Sequence, residues 1–162
     1  MILQIQNRNE PNCLVYAAAM VMNVAAEDIL RNMGHHGQEE WWPEADGKSK
    51  LRGVHIQEII DYALEYDMAF TPLELYPHSA PLGFEESAKM IWMEDECRTR
   101  FITWLQFYSA ILIHPSHATA WDKETKKVYD PNGMIREIEG LQIIEAWLLT
   151  KSNQQKKRRI TD

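Results

Sequence analysis

The stretch Asn7–Met22, NRNEPNCLVYAAAMVM, decides how the rest of the chain reads. Pro11 and Asn12 are turn and helix-start residues. Asn12 is suited to the N-cap, where its side-chain oxygen accepts an amide hydrogen from the first turn. From Cys13 the chain runs Leu, Val, Tyr, Ala, Ala, Ala, Met, Val, Met. A segment apolar on nearly every side is the pattern of a helix buried in a core. The spacing predicts a helix over about Cys13–Asn23, with Cys13 in its first turn. There the helix dipole favours negative charge, which moves a thiol toward its nucleophilic thiolate form. The bland alternative is a small buried core residue, which most free cysteines are.

Working outward, Ile2–Gln6 alternates like a short strand. Ala25–Met33 reads as a second helix ended by Gly34. His35–Gly53 mixes paired His, paired Trp, acids, Pro and Gly without a period, so a long loop is expected, and such loops are often functional. Trp41 and Trp42 are candidates for a substrate groove, weighed against a Trp that closes the edge of the core. Val54–Tyr66 is an amphipathic helix by spacing. Met68–Tyr76 is a strand broken at Pro72, hence near a sheet edge. Pro77–Gly83 is expected to be a loop, and Glu85–Met93 and Glu94–Tyr108 to be helical. The period then changes. Ser109–Ile113, His117–Asp122, Lys127–Asp130 and Met134–Ile138 read as successive strands, and residues 141–150 as a final helix. Helices first and an antiparallel sheet second point to an α+β domain.

A chain of 162 residues is long enough for one domain with a substantial core. The expected domain spans 1–150, followed by a basic and flexible tail, 151–162. In that tail Lys151, Lys156, Lys157, Arg158 and Arg159 stand against Asp162, a net of +4. The whole chain is −7, which leaves −11 on residues 1–150. So acidic a body argues against a nucleic-acid surface. No apolar run is long enough for a membrane span, and no signal peptide is visible at the start, so a cytoplasmic location is expected. Two cysteines, Cys13 and Cys97, make no disulfide framework. Cys97, set among charges without an evident His partner, reads as a spectator. Cys13 with His35, His36 and His55 shows no metal-site spacing, so no metal and no cofactor are expected.

Thiol chemistry needs a nucleophile, a base that takes its proton, and a group that orients the base. Cys13 lies on a helix start, His117 begins one strand and Asp130 ends the next. In an antiparallel hairpin those two ends lie side by side. His114 rivals His117 as base, and Asp122 rivals Asp130 as orienting group. His117 is preferred because Asp130 follows on the paired strand, while His114 precedes Pro115 in a turn. Gln6, upstream of Cys13, is placed to donate its amide to a developing oxyanion together with the Cys13 backbone N–H.

With Gln6, Cys13, His117-Ala118-Thr119-Ala120-Trp121 and Tyr129-Asp130-Pro131 in this order, the chain resembles the papain-like cysteine peptidases. It is most similar to the bacteriocin-processing peptidase domains of ABC exporters, which cleave leader peptides after a double glycine. It is similar also to small stand-alone peptidase-like proteins of bacteria and phages. The resemblance covers most of the chain. It implies a papain-like fold, with N-terminal helices packed on a C-terminal antiparallel sheet. It further implies hydrolysis of a peptide or isopeptide bond through an acyl-enzyme at Cys13. Two departures stand out. The exporter peptidases have Gly directly after the Cys, where this chain has Leu14. They usually place the Gln six residues before the Cys, a position held here by Asn7, with Gln6 one further away. The oxyanion donor is therefore Gln6 or Asn7. A papain-fold binding protein that sequesters a host or bacterial partner, with little or no catalysis, is the competing expectation.

Overall fold

Helix α1, Cys13–Met22, is the innermost element. Every residue from Val15 to Met22 is buried. Three consecutive alanines, Ala17–Ala19, let neighbouring elements approach from several sides, while Val15 and Met20 fill the space between them. The structure is a computed structural model, which describes residues 1–7, 10–38, 40–41, 50–51, 53–74 and 99–152. The segments expected as loop 77–83 and as helix over 85–98, Cys97, Trp42 and the basic residues beyond Ser152 lie outside the described residues.

Helices α2 (Ala26–Met33) and α3 (Ile56–Glu65) pack around α1. Two-residue strands β1 (Glu40–Trp41) and β2 (Lys50–Leu51) pair antiparallel inside the segment expected to be a loop. The main sheet holds β3 (Ala69–Glu74), β4 (Ala110–His114), β5 (His117–Asp122), β6 (Lys127–Asp130), β7 (Met134–Arg136) and β8 (Glu145–Lys151). Its order is β3-β8-β4-β5-β6-β7, and every pairing is antiparallel. The architecture is α+β. Among the described residues no helix is long and apolar enough to cross a membrane.

The sheet is covered on both faces. Ile111, Ala118, Ala120 and Tyr129 join the core built around α1. Leu112, Trp121, Val128 and Leu148 form a second core with Phe101 and Leu105 from a helix described over residues 99–105. The Trp121 indole N–H donates to the Leu105 carbonyl at 2.8 Å, which ties that helix to β5. Small residues at 118 and 120 let α1 lie flat on β5, its main contact in the sheet.

Four expectations are corrected. Residues 141–150 do not make a helix; Glu145–Lys151 is β8, a strand between β3 and β4. Ala146 and Leu148 face one core, and Trp147 and Leu149 border the other. Ala146–Leu149 are apolar at every position although buried and half-buried residues alternate, so the period of two is hidden in the sequence and the run imitates a helix. Lys151 closes this strand opposite Ala69, and its ammonium meets Asp67 at 2.5 Å, so it belongs to the sheet and not to a tail.

Ile2–Gln6 joins no strand. This segment is held instead by side chains and the chain start. Gln4 Nε2 donates to the Val24 carbonyl at 2.7 Å, and Gln4 Oε1 accepts the Ala26 N–H at 2.9 Å. The second bond satisfies an amide at the start of α2, where Ala25 offers no capping side chain. The Met1 ammonium lies 3.4 Å from Asp122. Asn12, finally, starts α1 with its carbonyl but gives no side-chain cap. Its amide is turned away, and Nδ2 donates to Glu10 Oε2 at 2.8 Å.

The close approach of α1 to β5 is directly testable. Ala120 is fully buried in the α1 core. Ala120→Leu should overpack it and cost about 1–3 kcal/mol. For a domain of this size that is a fall in Tm of several degrees, roughly 2–4 °C per kcal/mol. An unchanged thermal midpoint would mean that α1 does not lie against this strand.

Candidate active site

The β4–β5 hairpin turns through Pro115 and Ser116, and His114 pairs with His117 across it. Ser116 takes a left-handed φ of +60°, the third position of a tight turn led by Pro. His117 is therefore the first residue of β5, at the end of the sheet. β6 runs back beside β5, with Tyr129 opposite Ala120, so Asp130 ends next to the start of β5. The two side chains meet: His117 Nε2 lies 2.9 Å from Asp130 Oδ1.

Asp130 is 3 % exposed and its carboxylate is held from several directions. Oδ1 also accepts the Asn132 N–H at 2.9 Å, and the Asp130 carbonyl accepts the Gly133 N–H at 2.9 Å. These bonds make Asp130-Pro131-Asn132-Gly133 an Asx-type turn, with Gly133 at φ +98°. Oδ2 faces the Arg136 guanidinium at 3.4 Å. A carboxylate so surrounded is an acceptor, so His117 Nε2 carries the proton between them and the neutral ring keeps its Nδ1 lone pair.

Cys13, half-buried at the start of α1, stands on the same imidazole. The thiol is the largest influence on the ring. With the hydrogen bond and charge of Asp130, and against the opposing effect of burial, it pushes His117 up to about 9. In the first turn of α1 the Cys13 N–H has no intrahelical partner.

Gln6 is brought to the same corner. Its backbone N–H donates to the Pro131 carbonyl at 2.9 Å, one residue beyond Asp130. Its Oε1 is buried with no partner among the described residues. Asn7 is exposed. Of the two candidates, Gln6 is the one tied to the strand that carries Asp130.

The rival residues are occupied elsewhere. His114 Nδ1 lies 2.7 Å from the Gln142 carbonyl and Nε2 lies 2.8 Å from Thr119 Oγ1. Both nitrogens are thus committed, and burial lowers this ring from its ordinary value. Asp122 ends β5 at the far side of the sheet, where it accepts from the Met1 ammonium, the Glu124 N–H and the Thr125 hydroxyl. The histidines once weighed as metal ligands are also dispersed. His35 bonds Glu58 at 2.5 Å and accepts from the Gly37 N–H, His36 lies 3.6 Å from Glu10, and His55 caps α3. Among the described residues no group of three or more His, Cys, Asp or Glu gathers as a metal site. The backbone of Trp41 lies in β1, while its side chain, like all of Trp42, falls outside the described residues. Arg136 is a neighbour of the site that the sequence did not flag.

Comparison with protein-family models, with curated protein sequences and with solved structures found no match. What this corner can do rests on its own residues. A thiol, an imidazole polarised by a buried carboxylate, a free helix-start amide and a carboxamide are the parts required for acyl transfer.

The raised His117 has a consequence for stability. Its ordinary value is 6.5 and its folded value about 9. The protonated ring therefore stabilises the fold fully below about pH 6.5, and that stabilisation is lost as pH climbs through about 9. Urea midpoints of the wild type should fall relative to those of His117→Ala across this window. Midpoints that run parallel from pH 6 to 9 would rule out the interaction.

Proposed function

We propose that this protein is a thiol hydrolase of the papain-like type, cleaving a peptide or isopeptide bond through an acyl-enzyme at Cys13. The observation that carries the reading is the His117–Asp130 bond of 2.9 Å with Cys13 against the same ring. In this reading His117 takes the thiol proton and the Cys13 sulfur attacks the scissile carbonyl carbon. The oxyanion that forms is met by the Cys13 N–H and the Gln6 carboxamide. His117 then returns its proton to the leaving amine as the carbon–nitrogen bond breaks. Water, deprotonated by His117, releases the acyl group and restores the thiol. Asp130 holds the tautomer and stabilises the imidazolium without itself taking the proton.

Leu14 favours a second reading. It stands where the exporter peptidases have Gly, and it packs against the α1 core beside the nucleophile. A papain-like scaffold retained as a binding protein, with slow or no turnover, accommodates that change.

Alkylation separates the two. An ordinary thiol with a pKa of about 8.5 is less than about 1 % ionised at pH 6. Cys13 should nevertheless react with iodoacetamide at pH 6 at least about tenfold faster than Cys97 in the same molecule, read by mass spectrometry. His117→Ala should bring the two rates together. Asp130→Asn should slow turnover more than alkylation, and Cys13→Ala should abolish hydrolysis while the protein still folds. Equal, slow labelling of both cysteines, unchanged in His117→Ala, would leave only the binding scaffold.

A further inference from the structure

We infer that Arg136 is a positioning residue for this site: its guanidinium holds Asp130 in the orientation that engages His117. The inference rests on the reading of Cys13, His117 and Asp130 given above.

Asp130 spends Oδ1 on His117 and on the Asn132 N–H. Oδ2 is the oxygen left over, and Arg136 is the cation within ion-pair distance of it, at 3.4 Å. The carboxylate side chain is 5 % exposed, so it cannot rely on water to solvate its second oxygen. The register explains the approach. In the β6–β7 pair Met134 stands opposite Asp130 and Arg136 opposite Val128, so Arg136 and Asp130 share one face of the sheet as diagonal neighbours.

A second observation separates this contact from an incidental surface pair. Arg136 is a partly exposed residue on an edge strand, yet its Nε is buried with no partner among the described residues. A guanidinium free to choose would turn that donor to water, since a buried unpaired N–H is costly. Arg136 forgoes it while one terminal nitrogen faces Asp130 and also reaches Met134 Sδ at 3.3 Å. The other charges nearby are engaged among themselves: Lys127 of β6 pairs with Glu137, just past the end of β7. His114, whose ring centre lies 6.1 Å from that of His117, is committed to Gln142 and Thr119.

A residue that acts through Asp130 leaves a signature in a double-mutant cycle. The readout is the iodoacetamide rate at Cys13, followed from about pH 5 to 9, with thermal melting run in parallel. Arg136→Gln should slow Cys13 near neutral pH by about three- to tenfold. Arg136→Lys, which restores the charge without the planar fork, should slow it less. In an Asp130→Asn background, Arg136→Gln should cost nothing further. The same slowing factor in both backgrounds would overturn the inference and make Arg136 a structural residue only. Should Arg136→Gln fail to fold, the cycle run with Arg136→Lys reads the same coupling. A wild-type Cys13 no faster than Cys13 in His117→Ala would instead overturn the hydrolase reading and take this inference with it. Fast wild-type labelling that Arg136→Gln leaves untouched removes only Arg136.

Discussion

The carboxylate of Asp130 is the point on which the rest of the molecule converges. It sits at the end of β6, buried, and bonds three separate parts of the chain: the start of β5 through His117, its own turn through Asn132, and β7 through Arg136. One residue on, the Pro131 carbonyl receives Gln6 and so fastens the N-terminal segment to the same place. A buried ion is expensive unless every lone pair finds a partner. The partners that satisfy it therefore also fix where β5 and β7 lie relative to one another, and the next residue's carbonyl adds the N-terminal segment.

Opposite this polar corner stands α1. Its burial from Val15 to Met22 leaves it little freedom to slide or turn, because packed interiors respond poorly to displacement. Cys13 is the residue at which that rigid element meets the end of the sheet. The thiol and the imidazole thus come from two independently braced structures, and neither depends on a surface loop for its position. The methyl side chains of Ala118 and Ala120 contribute as much to this as the polar residues do, since bulkier groups would lift the helix off β5.

Much of the α+β layout and the order Cys13, His117, Asp130 were legible in the sequence, for identifiable reasons. The strands around His117 and Asp130 are short, separated by turn residues, and joined by tight connections, so their register follows from loop length. α1 was legible because it is apolar throughout. β8 was not, because apolar residues on its half-buried face as well as its buried one erase the alternation that marks a strand. The role expected of Asn12 failed because a nearby carboxylate, Glu10, competes for its amide. Arg136 was invisible as a partner of Asp130, since an isolated Arg in Met-Ile-Arg-Glu carries no local signal. Its relation to Asp130 exists only once β6 and β7 are paired. Trp41 and Trp42 belong to a segment with no period at all, and sequence gives such a segment no coordinates to argue from.

The separation of these residues along the chain has a bearing on biosynthesis. His117 and Asp130 sit on neighbouring strands and meet by local hairpin folding. Cys13 lies roughly a hundred residues upstream, so its encounter with the imidazole is a contact of high sequence separation, paid for in loop entropy before it forms. A nascent or partly unfolded chain carries the thiol on one segment and the imidazole on another, and the two meet only when α1 has docked on β5. In a ribosome-bound or damaged molecule the thiol, the imidazole and the carboxylate lie apart, and only the completed fold gathers them at one corner.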